Sequence, residues 1–322
     1  MLTNLTFWAF CLMGFQTHGV KVPAAQQLLE HIDRTAVTLS FNQGDLQLFN
    51  LYLLQAKSLL TGGDEREVRQ LMLEQVYEPY KDFWHILYKN KSTFKALTQH
   101  YVLVEEPPIT HQLPAILDVD VSAIFAQVAE GMIAHTGHRP KGRWYLIWAT
   151  GQFDIGVPEP GVAILDWGMQ KPTREALEVL FPHEFSHLIH RELAVPDPHA
   201  GTVLDWSLKE GFAVYVAYRY WQGKYGAAAC LQYTEEQWQW ALDNEQAIKN
   251  KARPLLFSKK AKDVKPFKSG AGIFIAGGPS RIGYFLGFRM LQAYVDRHGP
   301  DSWRQAYQLP VQKILDESAY FK

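Results

Sequence analysis

The 322-residue sequence predicts an α+β fold that is predominantly helical, with a small sheet. Three observations predict it. Residues 24–140 carry apolar side chains at near-helical spacing in several separate stretches. Two short apolar runs, 143–149 (RWYLIWA) and 162–167 (VAILDW), read as strands. Two capped helices then follow, one from Thr173 toward His190 and one from Thr202 to about Gly223.

Taken in order, residues 5–15 (LTFWAFCLMGF) form an apolar run of signal-peptide length, too short to span a bilayer, with small residues at Thr17 and Gly19 for cleavage. No Lys or Arg precedes it, since the first basic residue is Lys21. Export is the expectation, and a buried first element of a cytoplasmic protein is the alternative. Residues 24–32 are a short amphipathic helix. A helix is expected over 44–60, with Leu46, Leu48, Phe49, Leu51, Leu53 and Leu54 apolar and Gly62-Gly63-Asp64 breaking it. Residues 65–89 and 119–135 are further helices, with a loop at 105–108 between them. The character changes at Pro140-Lys141-Gly142, which divides a possible signal peptide (1–20) and a helical region (21–140) from a C-terminal domain (141–322). Pro182 inside the Thr173 helix should kink it or mark the first turn of a second helix. Lysines between 259 and 268, then Gly270, Gly272, Gly277 and Gly278, read as a solvated loop or a lid.

Composition narrows the function. Apolar residues at 47% and charged residues at 20% exclude a disordered chain. A net charge of −1 supplies no basic field for nucleic acid, and no stretch is long enough for an integral membrane span. The two cysteines, Cys11 and Cys230, can form at most one bridge and no Cys-x-x-Cys knuckle. Any zinc site must therefore be built from His and carboxylate.

Such a set is present. His183-Glu184-Phe185-Ser186-His187 puts two imidazoles one helical turn apart with a carboxylate between them. The two histidines can grip one Zn2+, while Glu184 reaches the water on its open side. A third ligand is needed. His190 lies on the same face but about 10 Å along the axis from His183, so it suits a supporting place in the cleft better than ligation. Glu210 is the better candidate, on the flank of the buried stripe Leu204, Leu208, Gly211, Phe212 and Tyr215 of the Thr202 helix. Gly211 would let that helix pack closely on the motif helix. Asp205 either hydrogen-bonds a ligand imidazole or simply caps its helix.

The arrangement resembles the gluzincin metallopeptidases, in which a second helix donates a Glu ligand, here 23 residues after His187. It is most similar to the bacterial YjaZ-type family of predicted zinc-dependent proteases. The resemblance covers about 140–322 and rests on His183-Glu-Phe-Ser-His187, Glu210-Gly211-Phe212-Ala213 and Gly283-Tyr284-Phe285-Leu286-Gly287. It implies a zincin-like catalytic domain with two metal-binding helices, and a hydrolase acting on peptides or protein segments. One zinc would lower the pKa of its bound water from about 16 toward 7, and Glu184 would take the proton. Tyr284 would either stabilise the oxyanion or pack in the core, and 162–167 would be either a substrate-pairing edge strand or a buried one. The alternatives are an inactive zinc-binding interaction module and a zinc amidase of a small substrate. Glu184 favours an enzyme, because a general base is needed only for turnover.

Overall fold

The computed structural model describes residues 22–41, 44–103, 108–149, 156–168, 173–268 and 273–322. The N-terminal apolar run, Cys11, Gly270 and Gly272 lie outside the described residues, as does most of the 105–108 loop. The chain forms two compact units.

The first unit comprises residues up to 35 and 53–114. Its helices are α1 (Val22–Arg34), α2 (Leu51–Thr61), α3 (Glu65–Leu71), α4 (Lys81–Tyr88), α5 (Lys91–Leu103) and α6 (Pro108–Leu117). The expected helix over 65–89 is interrupted. Pro79 cannot donate an intrahelical bond, and the chain loosens into a π turn (Met72–Tyr77) and a short 3-10 turn before α4 begins. The Trp84 indole N–H donates to the Val76 carbonyl (2.7 Å). Trp84 also packs on Tyr88 and Phe94 with ring centroids 5.6 and 5.0 Å away, forming this unit's aromatic core.

The second unit, 36–52 with 115–322, holds a five-stranded sheet. Its strands are β1 (Thr38–Phe41), β2 (Leu46–Asn50), β3 (Gly142–Ile147), β4 (Gly156–Glu159) and β5 (Val162–Asp166), in the order β1-β2-β3-β5-β4. β2, β3 and β5 run parallel, and the edge strands β1 and β4 are antiparallel to their neighbours. The expected helix at 44–60 is thus a strand followed by a helix. Leu46, Leu48 and Asn50 are buried while Gln47 and Phe49 between them are less so, which is a period of two. The same pairing explains the division of the chain, since Leu48 lies opposite Trp144 across the sheet. β5 is buried at every position between β3 and β4, so 162–167 is not an edge strand.

Seven more helices carry weight here: α7 (Val121–Thr136), α8 (Arg174–Leu193), α9 (Val203–Tyr220), α10 (Ala227–Cys230), α11 (Glu235–Asp243), α12 (Glu245–Ala252) and, after the short α13 (Ala261–Val264), α14 (Ile282–His298). Two short helices, α15 (Trp303–Ala306) and α16 (Val311–Ser318), end the chain. α8 is buried on opposite faces, which is why its sequence is not amphipathic. Leu177, Phe181, Phe185 and Leu188 point toward the sheet, and Phe181 and Phe185 pack on Trp144 at 5.6 and 4.7 Å. Phe125 of α7 completes that cluster, 5.2 Å from Trp144. No helix among the described residues is long and apolar enough to cross a membrane. The architecture is a predominantly helical α+β fold with a small mixed sheet.

Candidate metal centre

α8 starts where the sequence places it. The Ala176 backbone N–H donates to the Thr173 side chain (3.1 Å), and the helix then runs unbroken through Pro182 to Leu193. At about 100° per residue, His183 and His187 fall on the face opposite Phe181 and Phe185. The sheet contacts therefore hold both imidazoles away from the core cluster and toward α9.

α9 supplies the carboxylate. The Asp205 backbone N–H donates to Thr202 Oγ1 (3.2 Å) at its N-terminus. Asp205 Oδ2 accepts from Gly201 N–H (2.8 Å) and from Lys209 Nζ (2.9 Å), so this carboxylate fixes the helix start. Two turns on, Glu210 Oε2 lies 3.4 Å from His183 Nε2 and 3.4 Å from His187 Nε2. The two imidazole nitrogens are themselves 3.1 Å apart. Bonds of about 2.0–2.2 Å to a tetrahedral zinc put neighbouring donor atoms roughly 3.4 Å apart. The three atoms thus form one face of a tetrahedron sized for such an ion, and His183, His187 and Glu210 could hold it.

The electrostatics agree with a cation-binding set. Burial disfavours the charged form of Glu210, but the charge of His187 and hydrogen bonds from both imidazoles outweigh it and hold the carboxyl far below its usual range. Burial lowers the pKa of His183 despite Glu210. At His187 burial acts the same way, yet the charge and hydrogen bond of Glu210, with the charge of Glu184, prevail and the net direction is up. An ionised carboxylate facing two imidazoles is a donor set for a divalent metal.

Glu184 is buried beside this triad, its Oε1 4.0 Å from His183 Nε2. The ligand-capable atoms of Glu184, His183 and His187 all lie within 4.8 Å of one another. Tyr284 joins from α14, its ring stacked on His183 with centroids 6.1 Å apart and planes 14° from parallel. Burial first, then the nearby Glu210 carboxylate, push its hydroxyl well above the ordinary phenol range. The protonated hydroxyl can therefore donate to Glu210 or to a bound ligand.

His190 sits elsewhere. Its ring lies edge-on to Phe212 (5.6 Å) and Tyr307 (5.8 Å), and burial lowers its pKa to about 3. It packs behind the triad as a neutral side chain.

Glycines set the depth of the site. A Cβ on Gly211 would lie 2.1 Å from backbone atoms of Gly287 and Phe288, and one on Gly287 would meet the Ser207 carbonyl at 1.7 Å. α9 and α14 therefore cross backbone to backbone at Gly211 and Gly287. The close approach expected of Gly211 is real, but its partner is α14 and not the motif helix. Gly283 is pressed the same way against the Phe267 carbonyl, where a Cβ would come within 2.3 Å. The two glycines flanking Tyr284 thus seat it over His183.

One residue escaped the sequence reading. Arg281 caps the start of α14 with a left-handed backbone (φ 62°) and carries its guanidinium carbon 5.9 Å from the Tyr284 ring centroid. No local pattern marks it, because its place depends on contacts from distant segments.

Comparison with known proteins corrects the family reading. No curated protein and no solved structure matches the chain. A family model does match, over residues 176–322, a little under half of the chain. That stretch contains every piece on which the gluzincin and YjaZ-type resemblance rested, and the family found there is not a protease family. The assignment as a peptide-hydrolysing zinc metalloprotease is overturned on that ground, since a two-histidine motif with a Glu partner specifies a metal-binding geometry and not a substrate. From α8 to its C-terminus this chain is similar to the family described as gliding motility protein GldB.

Proposed function

We propose that this protein is an exported, zinc-binding component of a cell-envelope assembly of the gliding-motility type. The single observation that carries the metal is the convergence of His183 Nε2, His187 Nε2 and Glu210 Oε2 at 3.1–3.4 Å. The match to the gliding motility family spans all three ligands, so the metal belongs to the part of the chain that carries the likeness. The family's lipoprotein label supports export, in line with the apolar N-terminal run. The zincin-like element of this reading is an arrangement only: two histidines on one helix over a small sheet, and a Glu from a second helix.

When bound, zinc supplies a Lewis acid with room for one further ligand. Glu184 and Tyr284 flank that position, one able to accept a proton and the other to donate a hydrogen bond. A catalytic role for the centre is proposed at the level of these two residues.

Two measurements test the reading. Purified protein should carry about one zinc per chain, and His183→Ala should carry none; a metal-free parent overturns the metal centre. Deleting the gene in its own host should slow or stop movement over a surface, with rescue by the parent but not by His183→Ala. Unchanged movement of the deletion strain overturns the gliding role.

A further inference from the structure

A pocket of about 210 Å³ opens on α8 before His183, lined by Ala176, Val179, Leu180 and Ala229 together with Glu175, Tyr225 and Gln232. No candidate ligand lines it; it lies on the helix face that leads to His183. At about 100° per residue, Ala176, Val179 and Leu180 bracket the direction of His183, one turn further on.

The pocket connects to the centre by a second route. Gln232 accepts a hydrogen bond from Arg281 Nη1, Arg281 lies over the Tyr284 ring, and Tyr284 stacks on His183. Gln232 and Arg281 both have left-handed backbones, with φ 56° and 62°. Left-handed non-glycine residues that bond each other at a site mouth are held there by their surroundings. One such anchor is visible, as the Tyr233 hydroxyl donates to the Ser280 carbonyl (2.8 Å) on the neighbouring residues.

Charge selects the ligand. Among the described residues no carboxylate pairs with Arg281; its one side-chain bond goes to a neutral amide. A divalent metal facing the carboxylates of Glu210 and Glu184 leaves no net charge; Arg191, within electrostatic reach of Glu184, and Arg281, over the Tyr284 ring, make the surroundings net positive. The polar end of the site is then complementary to a monoanion, and the wall beyond it is apolar.

We propose that the centre binds a small organic carboxylate with an apolar tail, the acid group between the metal and Arg281 and the tail in the pocket along α8. This inference rests on the zinc centre proposed above, and Arg281 acts in it as the residue that recognises the anion. Glu175 in the pocket lining disfavours a second acid group on the tail.

The test is titration of 4-phenylbutyrate into the zinc-loaded full chain, with acetate and 4-phenylbutanol as comparison probes and zinc content measured on every sample. Phenylbutyrate should bind more tightly than either probe. Arg281→Gln should weaken it by about tenfold or more while zinc stays near one per chain. Ala229→Trp, at an exposed position on the pocket rim, should weaken phenylbutyrate but leave acetate unchanged. Full zinc content with no phenylbutyrate binding, or equal binding by the parent and Arg281→Gln, overturns this inference and leaves the metal centre standing. Absence of zinc from the parent overturns the metal centre and this inference with it.

Discussion

Trp221 donates its indole N–H to the backbone carbonyl of Glu178, the carbonyl that Pro182 deprives of its intrahelical partner. Pro182 has no N–H to return to residue 178, yet α8 continues for eleven residues beyond it. The bond from the end of α9 replaces the missing one and lets a proline stand one residue before His183. The Glu178 carboxylate is held at the same junction by Arg174, Lys224 and Tyr225.

Removing that indole N–H should be costly only while the proline is present. Trp221→Phe leaves a buried carbonyl without its donor, and about 1–3 kcal/mol of stability should be lost in urea unfolding. Pro182→Ala restores the intrahelical N–H, so the double variant should recover at least about 1 kcal/mol relative to additivity. Strict additivity of the two changes would refute the link.

The crossing of α9 and α14 tolerates no side chain. Gly211→Ala and Gly287→Ala should each cost more than about 2 kcal/mol, read by chemical denaturation, because backbone atoms stand where the methyl must go. Gly226→Ala, with nothing within 4 Å of the added carbon, should stay within about 0.5 kcal/mol of the parent. The Gly211 variant should also bind zinc more weakly, since Glu210 is the adjacent residue on the displaced helix.

Ligands and their neighbour should separate cleanly in metal binding. Glu210→Ala and His187→Ala should lower zinc affinity by at least about a hundredfold, measured by competition with a chromophoric chelator. Glu184→Gln should retain one zinc per chain. Tight zinc binding by Glu210→Ala would remove α9 from the site.

Acid should weaken the fold in part through His135 of α7. Burial, aided by Arg304 and Arg219, lowers its pKa from 6.5 to about 4, and its ring stacks on Trp303 at 4.8 Å. A histidine whose folded pKa is depressed contributes stability that is fully present above its unfolded pKa and is lost as pH falls below it. The contribution should therefore decline from about pH 6.5 toward pH 4. His135→Phe keeps the stack and removes the titration, so its melting temperature should fall less steeply over that window than the parent's. Parallel pH profiles would exclude the mechanism.

Local chemistry explains what could be read directly. Thr173 and Thr202 cap their helices through bonds within three residues, and the His183–His187 spacing is a property of one helical turn. Leu46 and Leu48 misled because the alternation is short and continues without a break into α2, whose leucines do follow helical spacing. Gly211 announced a close approach but not its partner, since a missing side chain carries no address.

By itself the sequence determined the two helices, their start points and the one-turn spacing of the two histidines, because caps and helical periodicity act over a few residues. Tertiary structure decided the rest: that Glu210 Oε2 stands 3.4 Å from both imidazoles, that Gly287 and not the motif helix meets Gly211, that Trp221 repairs α8 at Pro182, and that Arg281 bonds Gln232. Each joins residues tens of positions apart, and only the packing of whole helices against one another sets such distances.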